Sequence, residues 1–360
     1  MGKFHNPLIQ PLMSVFSLGL VNCEAVQGQI RDNFPVFLAS GGYRFTPLLQ
    51  LLTDPINTNN VISSTISPGD GKKRISKTVY QPRMREADVS TTVAFSCTAT
   101  NEAGELSTTC EIDETAGVKS SELIKRVDLA DICESNDSYI AKRIQAHIDV
   151  LHRKLETGLH TKFWAATGKY PDNDTSLNAG KTLKTVQTLK ASSVDTSLDA
   201  IEELAYTLRL AGYDRAFTIG DNLLTKYFDR LAVGCCVDGY GVDMSAAGSR
   251  GVTHMHSNRT NTEFGAGNFG FYMPGAAQIV TYNRFAGSNA VVDNSYKQMV
   301  IDSPLFPGIS FDVTMKEDCG ELHLEIGVAY ELCTAPTDYF AIDDRLDGFN
   351  GILQGLVTNT

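Results

Sequence analysis

The longest regular pattern in the chain lies in residues 135–168, SNDSYIAKRIQAHIDVLHRKLETGLHTKFWAATG. Its apolar side chains recur at steps of three or four residues, which places them in one stripe along a helix. The stripe consists of Ile140, Ile144, Ile148, Leu151, Leu155, Leu159 and Phe163. Ser135 or Asn136 can cap the start of this helix, and Gly168 can end it. The pattern predicts one helix of about nine turns, where about three are usual, packed along a long sheet or groove.

The composition is that of a folded protein with an acidic balance. Of the 360 residues, 42% are hydrophobic and 20% are charged, and the formal net charge is −11 at pH 7. A chain of this length forms one large domain or about two to three ordinary ones. The negative charge argues against a protein whose main task is to grip nucleic acid through a basic face.

The first residues share some features with an export signal. PLIQPLMSVFSLGLVNCEA (7–25) contains an apolar run followed by small residues. However, Pro7 and Pro11 interrupt the run, and Asn22 stands where a lipoprotein cleavage box needs a small residue. No apolar run approaches the length of a membrane span. We therefore expect the chain to reside in the cytoplasm, or in something assembled there.

The first 68 residues lack a continuous hydrophobic rhythm, which predicts an irregular arm that lies on another surface. Within this arm, FTPLLQLLTDP (45–55) predicts a short amphipathic turn or helix closed by Pro55. NTNNVISSTISPGDG (57–71) is polar and rich in turn residues, so it predicts a loop.

Residues 72–113 alternate in polarity and predict a ribbon of two long strands around a turn at NEAG (101–104). The first part of this ribbon is basic, with Lys72, Lys73, Arg74, Lys77, Arg83 and Arg85. An isolated two-stranded ribbon is only marginally stable in water. We therefore expect the ribbon to need a partner surface on another subunit. We also expect both the ribbon and the long helix to find hydrophobic cover on adjacent copies of the chain.

The second half of the chain alternates between helix and strand patterns, which indicates an α/β portion. DTSLDAIEELAYTLRLAG (195–212) predicts an amphipathic helix, and RAFTIG (215–220) predicts a buried strand. FGFYMPGAAQIVTYNRF (269–285) predicts a strand interrupted at its Pro-Gly pair. GISFDVTMKEDCGELHLEIGVAYELC (308–333) predicts a long hairpin that turns at EDCG. The final segment, DRLDGFNGILQGL, is expected to close a sheet edge.

Three short stretches resemble ligand-binding motifs without meeting their requirements. GAGNFG (265–270) has the glycine spacing of a dinucleotide site, but that site needs a following helix, and Pro274 with β-branched neighbours favours a strand. GDGKKRIS (69–76) lacks the spacing of a phosphate-binding Walker loop. DNDTSLN (172–178) lacks the glycine and the terminal glutamate of a calcium loop. We interpret GAGNFG as a flexible loop that enters a strand and DNDTSLN as a solvated turn, and we expect no ligand at any of the three.

Cys235 and Cys236, together with His254 and His256, offer side chains for a zinc ion or for a Cys-dependent hydrolase. A zinc site normally uses two close pairs of ligands at regular spacing. Adjacent cysteines and alternate histidines are expected to point to opposite faces of a strand, which works against a single metal ion. No local signature of a catalytic cysteine is present. We therefore expect no metal, no cofactor and no catalytic residue, and keep the Cys/His-dependent hydrolase as an alternative.

The chain has eight cysteines and no CxxC pair. They are Cys23, Cys97, Cys110, Cys133, Cys235, Cys236, Cys319 and Cys333. This density is low for the length of the chain, which favours reduced thiols that fill small core spaces. The alternative is a cross-strand disulfide between Cys97 and Cys110, which lie near facing positions on opposite arms of the predicted ribbon.

The order of these parts resembles the major capsid protein of tailed double-stranded-DNA phages, which has the Hong Kong 97-like fold. FGFYMPGAAQIVTYNRF and DRLDGFNGIL are also similar to stretches of phage capsid sequences. The resemblance implies an α+β fold with an N-terminal arm, an extended β-ribbon loop, a peripheral domain with a long spine helix, and an axial domain. The segments would be an arm at 1–68, an extended loop at 69–118, a peripheral domain at 119–190 with the spine helix at 135–167, an axial domain at 191–306, a returning peripheral hairpin at 307–335, and a C-terminal segment at 336–360 that closes the axial-domain sheet.

The resemblance implies a structural protein rather than an enzyme. Such a protein self-assembles as hexamers and pentamers into an icosahedral head shell around double-stranded DNA, which it contacts without sequence specificity. Its other partners would be a portal protein and, in some cases, scaffold or decoration proteins, with no membrane. Its location would be the virion, after assembly in the host cytoplasm. A nanocompartment shell of the encapsulin type, which holds a cargo protein rather than DNA, is the alternative with the same fold.

In one member of that family a ribbon lysine is cross-linked to an asparagine of a neighbouring subunit. The resemblance implies that Lys72, Lys73 or Lys77 with Asn350 would be the corresponding residues in this chain. Such a bond also needs an acidic side chain in an apolar pocket, which the sequence does not locate.

Overall fold

The computed structural model describes residues 23–39, 46–55, 61–81, 106–125, 135–166, 186–190, 216–222, 225, 252–257, 259–260, 267–286, 291–293, 296–318, 321–336, 339–340 and 350–358. They form a mixed architecture of helices and strands, in agreement with the predicted class. The helices are α1 (Cys23–Ala39), α2 (Pro47–Thr53) and α3 (Asn136–Ala165). The strands are β1 (Val61–Pro68), β2 (Lys73–Tyr80), β3 (Ser107–Asp113), β4 (Gly117–Lys125), β5 (Val186–Lys190), β6 (Ala216–Gly220), β7 (Val252–His256), β8 (Asn268–Tyr272), β9 (Ala277–Tyr282), β10 (Val291–Asp293), β11 (Tyr296–Asp302), β12 (Ser310–Asp318), β13 (Glu321–Thr334) and β14 (Ile352–Thr358).

Helix α3 confirms the long helix that the apolar stripe predicts. All seven residues of the stripe are at most 1% exposed. The Oγ of Ser135 accepts a hydrogen bond from the backbone N–H of Ser138 at 3.3 Å, which confirms the predicted cap. Because a single chain already covers the stripe, the expectation that adjacent copies cover this helix is wrong.

The N-terminal arm is more regular than its sequence suggests. Helix α2 confirms the short amphipathic helix expected there, with its leucines buried. Helix α1 corrects the prediction of an irregular arm, since Val26, Ile30 and Phe34 are buried at steps of four residues. Gly28 and Pro35 both lie within this helix and have poor helix propensity, so they conceal the pattern in the sequence.

The chain divides into two compact units. The first contains residues 1–45, 112–155 and 281–330, and the second contains residues 46–111, 156–280 and 331–360. Helix α3 contributes its first twenty residues, 136–155, to the first unit and the remainder to the second.

The first unit is built on an antiparallel sheet whose strands follow the order β10-β11-β12-β13-β4. Strands β12 and β13 confirm the hairpin predicted over 308–333, with Val313 opposite Ile326. Apolar side chains alternate along both strands, and those on one face, such as Phe311 and Leu324, are buried. Helix α3 packs on this face, since the ring of His152 lies 5.4 Å from the ring of Phe311.

The second unit contains a mixed sheet in the order β5-β14-β8-β6-β7. Strand β6 confirms the buried strand predicted at 215–220, and β8 with β9 confirms the strand interrupted at Pro274. Strand β14 lies between β5 and β8, so the final segment is an inner strand, which corrects its predicted place at a sheet edge. Phe163 of α3 packs against this sheet, 5.8 Å from the ring of Tyr272. The helix predicted at 195–212 lies outside the described residues.

A further sheet, most of it in the second unit, has the strand order β1-β2-β3. Strands β2 and β3 lie in the two arms of the predicted ribbon, and residues 82–105 between them lie outside the described residues. Strand β1 corrects the loop predicted over 57–71, because it pairs antiparallel with β2. Gly71, with a φ of 63°, turns the chain between these two strands. The β-branched residues of VISSTIS favour a strand, and the surrounding turn residues conceal this preference in the sequence.

Candidate assembly surface

Strand β1 is exposed on both of its faces. Every residue from Ile62 to Pro68 is exposed, and Ile62 and Ile66 are 59% and 42% exposed. None of the eight residues of the strand is charged. Among the described residues it pairs only with β2, so its other edge presents backbone groups without a strand partner. Folded proteins usually protect such an edge with charges or a covering element, so β1 is a candidate contact surface.

The neighbouring strand β2 is covered by its own chain. Ser76, Thr78 and Tyr80 are at most 1% exposed. The side-chain amide of Gln278 donates a hydrogen bond to Thr78 Oγ1 at 2.8 Å, and the rings of Tyr80 and Tyr339 lie 5.1 Å apart. Burial, with a smaller effect of Tyr339, raises the pKa of the Tyr80 phenol. The base of the ribbon is thus anchored within the second unit, which corrects the expectation that the whole ribbon needs another subunit.

The basic side chains at the start of the ribbon are partly neutralised within the chain. Lys73 Nζ lies 2.6 Å from Glu111 Oε2 on β3, and both side chains are more than half exposed. An exposed ion pair contributes little free energy, about 0–1 kcal/mol, so this pair adds little to the stability of the sheet. Lys72 and Lys77 are also exposed, whereas the two predicted ribbon arginines further along the chain lie outside the described residues.

A disulfide joins Cys110 of β3 to Cys333 of β13. Their Cα atoms are 5.8 Å apart, and the two residues are 223 positions apart in the sequence. The expectation of reduced thiols is therefore wrong for these two cysteines. The alternative partner predicted for Cys110, Cys97, lies outside the described residues. No local pattern predicts Cys333 as the partner, because only the folded chain brings β3 and β13 together.

Helix α3 carries a second stripe, which is polar and also buried. Gln145, Asp149, His152, Glu156 and His160 recur at steps of three or four residues and are at most 6% exposed. Buried polar groups are costly unless they are hydrogen-bonded, so this stripe requires partners from other elements. The stripe is not among the features predicted from the sequence, although the same helical spacing that identifies the apolar stripe also identifies this one.

Glu156 is the best-connected member of the polar stripe. Its Oε1 accepts a hydrogen bond from the backbone N–H of Leu48 at 2.9 Å, and its Oε2 accepts one from Leu49 at 2.7 Å. These N–H groups belong to the first turn of α2, where a helix leaves its donors without internal partners. The carboxylate therefore ties α2 to α3 inside the second unit.

Glu156, His160 and Ser257 are the residue types of a hydrolytic triad, but their geometry is that of a structural cluster. A triad needs the histidine to contact the acid and the serine through opposite ring nitrogens. Here the Nε2 of His160 lies 3.1 Å from both Glu156 Oε1 and Ser257 Oγ. All three residues are at most 2% exposed, so a substrate does not reach them.

Strand β7 brings His254 and His256 to the same face, which corrects the expectation that they point to opposite faces. Thr225 Oγ1 lies 2.9 Å from His254 Nε2 and 2.8 Å from His256 Nδ1. The other ring nitrogen of His254, Nδ1, lies 3.1 Å from Thr218 Oγ1. Burial, together with the neighbouring His256, lowers the pKa of His254 to about 4. His254 is therefore a neutral side chain held by two hydroxyl groups.

The remaining residues singled out by the sequence form no site within the described part of the chain. No group of three or more His, Cys, Asp or Glu side chains suited to a metal ion occurs there. Cys235, Cys236 and the DNDTSLN loop lie outside it. Gly267, the third residue of GAGNFG, leads directly into strand β8, which contains the last three residues of the motif. The side-chain amide of Asn350 donates a hydrogen bond to the backbone carbonyl of Ala166 at 2.7 Å, so this asparagine is engaged within its own chain.

No protein-family profile matches the chain, and no curated protein matches it. Several solved structures do. The capsid structure of cyanophage P-SCSP1u aligns with a TM-score of 0.40 and 12% identity, over 82% of this chain and 86% of that one. The capsid structure of Staphylococcus phage Andhra aligns with a TM-score of 0.40 and 8% identity, over 81% and 82%. The crystal structure of a virus-like particle from Pyrococcus furiosus aligns with a TM-score of 0.39 and 10% identity, over 92% and 98%.

The matching structures are mostly phage capsids. They represent the class of protein that the sequence resemblance names. The TM-scores of these alignments lie below 0.5. None of the described helices is both long and apolar enough to cross a membrane.

Proposed function

We propose that this chain is the shell-forming major capsid protein of a tailed phage. In this proposal it has the Hong Kong 97-like layout, with the extended loop at 69–118 and the spine helix at 135–167. Its copies form the hexamers and pentamers of an icosahedral head that encloses double-stranded DNA. A portal protein completes the head, and scaffold or decoration proteins are further candidate partners. The protein acts by building a shell in the host cytoplasm and uses no catalytic residue.

The observation that carries this proposal is the uncovered strand β1 beside an anchored strand β2. Burying Ile62 and Ile66 on a partner would gain roughly 1–2 kcal/mol for each side chain, from the usual value per unit of apolar area. An uncharged edge strand is an aggregation hazard for a protein that acts as a monomer. A subunit that repeats by symmetry removes the hazard, because each copy covers the same strand of its neighbour.

The charge of the chain fits a container for DNA better than a DNA-binding protein. With a formal net charge of −11, the subunit repels the phosphate backbone over most of its surface. Contact with the packaged DNA is then weak and independent of sequence, so the DNA can be threaded past the inner surface.

Negative-stain electron microscopy of the purified full chain tests the proposal. We expect closed shells at some combination of salt and protein concentration. If only small soluble particles appear under all conditions, the capsid proposal is contradicted. Shells that purify with an enclosed cargo protein would instead favour the encapsulin-type nanocompartment.

A charge placed on β1 tests whether this strand forms the contact. We expect Ile66→Lys to abolish shells or to raise the concentration needed for them at least tenfold, which corresponds to roughly 1.4 kcal/mol per contact. Val150→Lys is the matched control, because Val150 is 40% exposed, close to the 42% of Ile66, but lies on α3. Equal assembly by the Ile66→Lys protein and the unmodified protein would rule out β1 as a contact.

The Cys/His-dependent hydrolase is tested by replacing Cys235 and Cys236 with serine. We expect the double variant to form the same shells as the unmodified chain. Hydrolysis of a simple activated ester that depends on either cysteine, combined with the absence of shells, would favour the enzyme.

A further inference from the structure

We propose that the Cys110–Cys333 pair is a redox clamp, by which we mean a disulfide that forms on oxidation and fixes β3, at the base of the ribbon, to β13. The pair is two thiols while the chain folds and assembles in a reducing cytoplasm, and becomes a disulfide when the particle reaches oxidising surroundings. The timing of this change rests on the proposed function. The clamp itself does not, because it is a property of the folded chain.

The bond joins β3, an edge strand, to β13, which lies between β12 and β4 in its sheet. Glu111 of β3 forms an exposed ion pair with Lys73 of β2. Cys333 lies near the end of β13, is 1% exposed, and is followed by Ala335, whose N–H donates to the carbonyl of Ala276 at 2.8 Å. The disulfide therefore transfers the rigidity of β13 to the return strand of the ribbon.

The two cysteines differ in burial, which determines which of them reacts first with an external disulfide. Cys110 is partly exposed, whereas Cys333 is buried. A small disulfide, such as oxidised glutathione, reaches Cys110 first. The Cys110 thiolate attacks one sulfur of that disulfide, which forms a mixed disulfide and releases one reduced glutathione.

The Cys333 thiolate then attacks the Cys110 sulfur and releases the second glutathione. In total, two protein thiols lose two electrons and two protons, and one oxidised glutathione becomes two reduced molecules. Cytosolic glutathione holds this exchange on the thiol side, and the extracellular medium does not.

The separation of the two cysteines makes the bond depend on the folded state. Closing a loop of 223 residues costs a large amount of conformational entropy in an unfolded chain. The two sulfurs therefore meet only after β3 and β13 have taken their places. Once formed, the bond restricts the unfolded chain and so opposes unfolding.

The test compares one preparation of the unmodified full chain in two redox states. One half is kept in dithiothreitol, and the other is treated with oxidised glutathione at pH 8. Free thiols are then alkylated, and the chain is digested and analysed by mass spectrometry without reduction. We expect a linked peptide pair containing Cys110 and Cys333 in the oxidised half only. No linkage, or linkage of Cys110 to another cysteine, would overturn the proposal.

Hydrogen exchange measured on the same two samples tests the clamping effect. We expect amides of 107–113 to exchange roughly tenfold more slowly after oxidation, because the clamp suppresses local opening of β3. Amides of 310–318, in the hairpin of the first unit, should exchange equally in both states. Equal rates at 107–113 in both states would also overturn the proposal, even if the bond forms.

Two variants complete the design. In Cys110→Ser and in Cys333→Ala, exchange at 107–113 should no longer respond to oxidised glutathione. The decisive comparison uses the unmodified chain, so a variant that fails to fold leaves the result intact. Electron microscopy of the reduced half separates the two proposals, because missing shells count against the capsid function and leave the peptide linkage unaffected.

Discussion

Glu156 holds the first turn of α2 with both of its carboxylate oxygens, and it is 1% exposed. The variant Glu156→Gln keeps the shape but replaces one acceptor oxygen with an NH₂ group that faces a backbone N–H. We expect the free energy of unfolding to fall by about 2–3 kcal/mol, the usual cost of losing a hydrogen bond to a buried charged group. Urea denaturation monitored by circular dichroism measures this loss.

The control for this variant is Glu325→Gln. Glu325 pairs with Lys119 at 2.8 Å, but both side chains are about half exposed or more. Such a pair is screened by water, so we expect a change of less than about 0.5 kcal/mol. A similar loss of stability in both variants would show that the contacts of Glu156 with α2 contribute no more free energy than an exposed ion pair.

His152 gives the first unit a dependence on pH. Its ring packs edge-on against Phe306 at 4.9 Å, and burial lowers its pKa to about 3. The unfolded chain has a pKa of about 6.5 at this histidine, so it takes up the proton more readily than the folded chain between these two values. The contribution of the neutral His152 to the free energy of unfolding is fully present above pH 6.5. It is lost as the pH falls towards 3, at about 1.4 kcal/mol for each pH unit.

The variant His152→Gln removes this contribution to the pH dependence. Between pH 6.5 and pH 4.5, we expect the slope of the unfolding free energy against pH to decrease by about 1.4 kcal/mol per unit. His323→Gln, at an exposed position of β13, is the control for the same substitution outside the core. The slope is read from urea titrations at several pH values, and an unaltered slope in His152→Gln would contradict the assignment.

At the scale of elements, the approach of β14 to β8 leaves no room for a side chain at Gly355. An added Cβ there would lie 2.1 Å from Cζ of Phe269, a fully buried ring. We expect Gly355→Ala to lower the free energy of unfolding by about 1–3 kcal/mol, the usual cost of overpacking a core. Thermal unfolding followed by circular dichroism measures the effect.

Gly28 provides the opposite case for the same substitution. A Cβ added at Gly28, inside α1, has no atom within 4 Å. We expect Gly28→Ala to raise the free energy of unfolding by about 0.5–1 kcal/mol, because alanine loses less backbone entropy in a helix. Loss of stability at Gly28, or none at Gly355, would contradict this description of the two elements.

The elements that the sequence predicts correctly are those with an unbroken period. The apolar stripe on α3 extends over the full helix, and the alternation of polar and apolar residues extends over both β12 and β13. Patterns of this length identify the type of each element. Helix α1 is interrupted by Gly28 and Pro35, and β1 is surrounded by turn residues, so neither pattern is complete. A period seen without interruption is therefore the best guide to structure in this chain.

The contacts that define the candidate sites join residues that are far apart in the sequence, so no periodic pattern predicts them. Glu156 meets Leu48 across 108 positions, and Cys110 meets Cys333 across 223 positions. Such pairs depend on how several elements pack, and a single sequence contains no local record of that packing. The hydrogen-bond partner of His254 and His256 is likewise not predictable from the local sequence, because Thr225 comes from another part of the chain.

At the scale of the whole molecule, the proposed assembly would bring together copies that each carry a formal net charge of −11. This repulsion would oppose assembly at low ionic strength, whereas the proposed contact through β1 contains no charged side chain and should depend little on salt. We therefore expect the yield of shells to rise between about 0.05 and 0.5 M salt, since the screening length falls well below 10 Å over that range. Sedimentation of shells against free subunits measures the yield. A steep fall with salt would show that ion pairs, rather than apolar burial, hold the subunits together.

The covering of β1 by neighbouring copies is the central claim, and hydrogen exchange of assembled shells against free subunits tests it most directly. We predict that amides of residues 61–68 exchange roughly tenfold or more slowly in shells, because their outer edge and both faces become buried. Exchange in the buried core of α3 should be similar in both samples. If residues 61–68 exchange as fast in intact shells as in free subunits, the strand is not a contact surface and the account is wrong.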